Sequence, residues 1–236
     1  GPHRDVPVIV ATAYGDSEQV IGNLVAELKL RDRLFLATKL TGPGGGRVGG
    51  EQSFERSLQR LRTDHVDLLY VHNLAGTDEL FPQMQQWKQA KRVRYLGVST
   101  SSQRQHAAMV ESMKKHPLDF VEVNYGIADR DAEQTVLKTA LERRVAVVAN
   151  VPFGGRGGRT LTAVLGKPLP PWAAEIGCTS WAQVMLKYAA SHPAITCVVS
   201  GSTKVSHVED NQQAARGVLP DAAMRKRMEQ YWDALG

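Results

Sequence analysis

The stretch Val66-Asp67-Leu68-Leu69-Tyr70-Val71-His72 (VDLLYVH) is apolar for most of its length and then ends on a histidine. A run of this kind, bounded by polar residues, predicts a strand buried on both faces, as in a parallel sheet wrapped by helices. Similar runs recur on either side: VPVIVAT (6–12), RLFLATK (33–39), RYLGVS (94–99), DFVEVNY (119–125), VAVVANV (145–151) and ITCVVSG (195–201). Between them lie stretches with helical periodicity, including SEQVIGNLVAELKL, EQSFERSLQRLR, LFPQMQQWKQAKR, SQRQHAAMVESMKKH, DAEQTVLKTALERR and SWAQVMLKYAASH. Strands that alternate with helices at this cadence predict α/β architecture built from parallel β-α units.

The even spacing favours a closed (β/α)8 TIM barrel over a doubly wound sheet, with residues 1–236 forming a single barrel domain. Such a barrel has eight strands. Seven are readable here, so the first strand-helix unit is expected to be lacking from this sequence. No Gly-x-Gly-x-x-Gly follows the first strand to open a helix, which argues against a dinucleotide fold of the open-sheet type. Two glycine-rich segments, GPGGGRVGG (42–50) and GGRGG (154–158), follow strands and are expected as loops on the face where barrels carry their sites.

The chain of 236 residues is 42% hydrophobic and 22% charged, enough to bury a sizeable core. No apolar run reaches the ~18 residues of a membrane span, and the GPHRDV start lacks the apolar centre of a secretory signal, so a cytoplasmic protein without a membrane partner is expected. Cys178 and Cys197 show neither metal-ligand nor disulfide spacing and read as reduced, buried thiols, with no metal site. The net charge is +5, but Lys and Arg are interleaved with acids. A small anionic ligand or a merely basic surface accounts for this pattern, and no nucleic-acid partner is expected.

Three runs end on groups capable of proton chemistry: Tyr14 after VIVATA, Lys39 after FLAT and His72 after LLYV. In a barrel the carboxyl ends of neighbouring strands face one cavity, so these side chains can meet. An ammonium at the end of a buried strand is costly unless a site holds it. Beside a phenol, whose ordinary pKa is near 10, the ammonium favours the phenolate and makes the phenol a usable acid. A histidine can hydrogen-bond the same substrate oxygen.

The succession T-A-x-Y-G-x-S-E, A-T-K, D-L-L-Y-V-H, G-V-S and V-N-Y resembles the aldo/keto reductase family from Tyr14 to the C-terminal helices. The resemblance implies a (β/α)8 barrel that reduces small carbonyl compounds with NADPH, NADH being the alternative cofactor. It implies Tyr14 as proton donor, Lys39 as its partner and His72 as the orienting group. By the same resemblance Ser99, Thr100 (for an asparagine), Glu122 (for a glutamine) and Asn150 (for a stacking tyrosine) meet the nicotinamide. Phe153, Gly155 and Arg156 lie in the loop over the pyrophosphate. Ser202, Thr203, Lys204 and His207, which replaces an arginine, are placed at the adenosine 2′-phosphate, and Asp210 and Asn211 at the adenine. Trp87, Trp181 and Trp232 read as packing residues, and Trp172 as a residue of the pocket or its rim.

One departure touches the chemistry. The family carries an aspartate five residues before its tyrosine, to pair with the lysine, whereas this chain has Ile9. A single Asp between Ile9 and Val10 would restore the pattern. Two alternatives therefore stay open beside the reductase: a nicotinamide-nucleotide-binding regulatory or degenerate barrel without efficient turnover, and a non-redox barrel using Lys39 or His72 as base.

Overall fold

A computed structural model describes residues 8–11, 15–40, 46–155 and 157–235. In chain order the elements are β1 (Val8–Ala11), α1 (Ser17–Glu27), β2 (Leu34–Leu40), α2 (Gly46–Leu61), β3 (Val66–His72), α3 (Thr77–Gln89), β4 (Val93–Ser99) and α4 (His106–Lys115). They continue with β5 (Phe120–Asn124), α5 (Val136–Arg143), β6 (Ala146–Asn150), α6 (Arg159–Thr162), α7 (Trp181–Ala190), β7 (Ile195–Val198), α8 (Val205–Gln213) and α9 (Ala222–Asp233). The chain divides into two compact units, one of Gly1–Ser99 with Glu111–Phe120 and one of Thr100–Val110 with Val121–Gly236.

In the first unit β1, β2, β3 and β4 pair in sequence order, all parallel. Pleating sends alternate residues to opposite faces. One face carries Phe35, Ala37, Leu68, Tyr70 and Tyr95, which pack together with Phe120. The Phe35 and Tyr95 rings stack at 5.9 Å, and Tyr95 meets Phe120 edge-on at 5.5 Å. The other face, with Leu36, Leu69, Val71, Leu96 and Val98, is also buried, as the continuous apolar run predicts. Each such aliphatic side chain contributes about 1.5–3 kcal/mol on leaving water. Helices α2 and α3 add Phe54 and Trp87, whose rings lie 4.5 Å apart, so Trp87 packs in the core.

Two expected elements differ. The predicted loop 42–50 is helical from Gly46, because α2 extends five residues upstream of its apolar face. The predicted helix over 131–144 is split: a 3-10 turn at Asp131–Gln134 precedes α5, and Thr135 between them leaves helical geometry at φ −131° and ψ −78°.

In the second unit β6 and β7 pair in parallel. Helix α7 starts at Ser180, whose hydroxyl accepts from the Gln183 backbone N–H, a standard N-cap. Lys187 on this helix is 0% exposed. Its ammonium donates to three backbone carbonyls, those of Ile176 and Arg216 at 2.6 Å and Val218 at 2.9 Å. A buried charge is tolerable only with such saturation. Cys178 is buried close by, and loss of water pushes its thiol up to about 11. Among the described residues no helix is long and apolar enough to cross a membrane.

Replacing Lys187 with Met leaves three carbonyls without their charged donor. The Lys187→Met variant is expected to lose about 3 kcal/mol or more of unfolding free energy in urea denaturation, each hydrogen bond to a charged group contributing ~1.5–3 kcal/mol. Unchanged stability would show that the carbonyls find water instead.

Candidate active site

Parallel register decides which strand-end groups share a face. Lys39 pairs with Tyr70, Tyr70 with Gly97, and His72 with Ser99. Since Tyr70 and His72 are two residues apart on β3, the side chains of Lys39, Tyr70, His72 and Ser99 leave the same face at the carboxyl ends of β2, β3 and β4. Lys39 is only 7% exposed and Ser99 is buried, while His72 is half-buried. Thr38, one residue before Lys39, points to the opposite face, where its hydroxyl donates to the buried Glu18 carboxylate of α1 at 2.7 Å. Tyr14, the expected acid, lies outside the described residues, as does Arg156.

In the second unit Thr100, Glu122 and Asn150 are joined in one network. The Thr100 backbone N–H donates to the Glu122 carbonyl at 2.8 Å, and Asn150 Nδ2 donates to both Thr100 O and Glu122 Oε1 at 3.0 Å. Asn150 Oδ1 and, in the first unit, Ser99 Oγ are buried without a hydrogen-bond partner among the described residues. Buried polar atoms of this kind ordinarily mark a place for a ligand or water. A carboxamide fits the Glu122–Asn150 network through its N–H2 group, since both side chains present acceptor oxygens.

The second unit also holds a cavity of about 400 Å³. One wall is apolar, formed by Phe153, Leu161, Val164 and Trp181, and the other presents Ser202, His207, Asp210 and Asn211. Five of the expected cofactor residues therefore line one space, whereas Gly155, Thr203 and Lys204 are not among its lining residues. Lys204 caps α8, its backbone N–H donating to Ser202 Oγ at 3.2 Å. Asp210 already accepts from Ser180 Oγ and Gln183 Nε2, both at 2.6 Å, so it fastens α8 to the start of α7. Next to the cavity residue Phe153, Gly154 holds φ +89°, and a Cβ there would stand 2.3 Å from Thr160 Oγ1 and 2.6 Å from its backbone nitrogen.

Trp181 and Lys167 were not expected in this cavity. Trp181 sits at the first position of α7 and its indole N–H donates to the Lys167 carbonyl at 3.0 Å, which turns the ring out of the helix row and onto the cavity. Its place right after an N-cap serine was the available signal. Trp172 is buried instead, meeting Tyr231 edge-on at 5.7 Å.

Strands that alternate with helices, with Lys39 and His72 at the carboxyl ends of β2 and β3, define a β/α-repeat protein. The model of the aldo/keto reductase family matches residues 10–232, and the chain belongs to that family. Among its relatives, an aldo-keto reductase of Strobilurus tenacellus is 29% identical, the alignment covering 93% of this chain and 76% of that one. A putative aryl-alcohol dehydrogenase of Saccharomyces cerevisiae is 26% identical over 84% of this chain, which spans 65% of the yeast protein's length. An aldo/keto reductase from Klebsiella pneumoniae, solved with NADP and acetate, superposes with a TM-score of 0.76 at 21% identity, covering 95% of this chain and 80% of that one. The fold is accordingly the (β/α)8 barrel of this family, with seven of its strands among the described residues.

Removing the Asn150 amide isolates its two acceptors. Asn150→Ala is expected to cost about 1–3 kcal/mol of stability in urea denaturation. A neutral result would show that the network is held by other donors.

Proposed function

We propose that the chain reduces an aldehyde or ketone to the alcohol with NADPH, Tyr14 giving the proton. The observation that carries this reading is the buried Lys39 ammonium, set on the same strand-end face as His72 and Ser99. Family membership and the NADP held by the Klebsiella neighbour support it.

The cofactor's residues are proposed as follows. Thr100, Glu122 and Asn150, with Ser99, receive the carboxamide. Phe153, Gly155 and Arg156 belong to the loop over the pyrophosphate. Ser202, Thr203, Lys204 and His207 serve the 2′-phosphate at the start of α8, where free N–H groups and the helix dipole favour an anion. Asp210 and Asn211 serve the adenine. His207 offers one ring nitrogen where an arginine would offer a fork, so NADPH is preferred over NADH by a narrow margin.

Bound there, NADPH supplies the hydride that adds to the carbonyl carbon. The proton for the carbonyl oxygen comes from the Tyr14 hydroxyl. Lys39 favours the phenolate left behind, which brings the phenol toward the working range of a general acid. His72 donates to the carbonyl oxygen and fixes its approach. The product is released as a neutral alcohol, and Tyr14 is reprotonated from solvent.

A second reading is favoured by Ile9, which supplies no carboxylate where the family has one. On it the chain binds the nucleotide and turns over slowly or not at all. Tyr14→Phe separates the two. Reduction of a simple aldehyde, followed as NADPH absorbance, is expected to fall by about 10²–10⁴, while NADPH affinity by fluorescence titration stays within about twofold of wild type. Undiminished turnover in the variant would remove Tyr14 from the chemistry, and binding without turnover in the wild-type chain would select the second reading.

A further inference from the structure

Tyr70 is not assigned any part in the proposed chemistry, yet its surroundings are built around Lys39. The two residues are direct partners in the parallel ladder of β2 and β3. The Lys39 ammonium stands 5.8 Å from the centre of the Tyr70 ring, inside the range over which the negative face of an aromatic ring attracts a cation. Tyr70 is among the largest fully buried side chains of the chain, so this attraction acts where water screens little. On the far side of the ring β4 supplies no side chain. Gly97 is the ladder partner of Tyr70, and a Cβ there would lie 2.7 Å from Tyr70 Cδ1 and Cε1. Below the ring Ala37 and Leu68 complete its seat.

A small residue on one neighbouring strand and a lysine on the other thus hold one ring in one place. An aliphatic side chain would fill the same volume without an electrostatic face. We infer that Tyr70 is a positioning residue for the reaction: its ring seats the Lys39 ammonium on the strand-end face, and the ring face, not the hydroxyl, is what acts. The inference rests on the proposed pairing of Lys39 with Tyr14.

The ring's face attracts the Lys39 ammonium. Weakening that face loosens the ammonium's seat, so the step that uses it slows while nucleotide binding is unchanged. Three substitutions at position 70 test this. Tyr70→Phe keeps the ring and is expected to retain kcat within about twofold. Tyr70→Leu is expected to lose about tenfold in kcat with NADPH affinity unchanged. Pentafluorophenylalanine at position 70 keeps the size of phenylalanine and reverses the polarity of the ring face. It remains informative if Tyr70→Leu fails to fold, and is expected to reproduce the leucine loss.

A second readout does not need turnover. Acetic anhydride acylates neutral amines, and mass spectrometry of the peptide containing Lys39 follows the rate at fixed pH. Faster acylation is expected in the pentafluorophenylalanine protein than in Tyr70→Phe. If the wild-type chain reduces no carbonyl, the function proposed above fails, and this difference in acylation still establishes the seating of Lys39. Equal acylation in the two proteins, an unchanged kcat in Tyr70→Leu, or a Tyr70→Phe variant as impaired as Tyr70→Leu would each overturn the inference.

Discussion

The parallel register of β2, β3 and β4 is the constraint from which the site follows. Because the ladder pairs Lys39 with Tyr70, and Tyr70 with Gly97, one pleat carries cation, ring and gap across three strands. The next pleat up carries His72 beside Ser99. A slip of one residue in β2 would turn Lys39 toward the helices and bring Thr38, now bonded to Glu18, into the polar row. The apolar runs that bury both faces hold that register: Leu36 and Leu69 fill one side, Ala37 and Leu68 the other, and neither side tolerates the exchange. Chemistry at the strand ends therefore depends on packing a full turn below it.

The second unit handles charge differently. Lys187 is as buried as a side chain can be and touches no acid in the described structure; its partners are the carbonyls of Ile176, Arg216 and Val218. The Arg216 and Val218 carbonyls lie in the segment after α8, while Asp210 binds α8 itself to Ser180 and Gln183 at the start of α7. Helix α8 and the segment after it are in this way fastened to α7, the helix that also presents Trp181 to the cavity. Asp210, already supplied with two donors, acts here as a fastening between helices, while Ser202, His207 and Asn211 line the cavity beside it.

Strand identity was legible because burial on two faces writes a run that needs no tertiary information: VDLLYVH coincides with β3 at both ends. That Lys39 and His72 share a face at the strand ends was legible for a related reason, since a polar group ending such a run costs free energy unless something holds it. Glycine misled in one place. The stretch before Glu51 reads as a loop by propensity, yet α2 runs through Gly46, Gly49 and Gly50, and Gly50 meets Leu80 so closely that a Cβ would stand 2.5 Å from its Cδ2. Close helix approach, which depends on the partner helix, cannot be read from a local window. Trp181 escaped for the same reason: it looks like an apolar position in a periodic pattern, and only its bond to the Lys167 carbonyl across the loop sets it on the cavity.

Two kinds of unrelieved cost lie at the end of β6. Asn150 keeps Oδ1 buried without a partner among the described residues, and Val151, a β-branched residue, holds φ at +46°. An unmet buried acceptor costs about 1–3 kcal/mol, and a left-handed backbone at such a residue costs a similar amount. Folding alone gains nothing from either. A ligand that donates to Asn150 Oδ1 recovers the first cost, and the recovered free energy appears as affinity and as stabilisation of the liganded chain. Glu122 adds direction, because its carboxylate is held by Asn150 and accepts but does not donate. The network thus offers acceptor oxygens, not donors, to whatever approaches the end of β6.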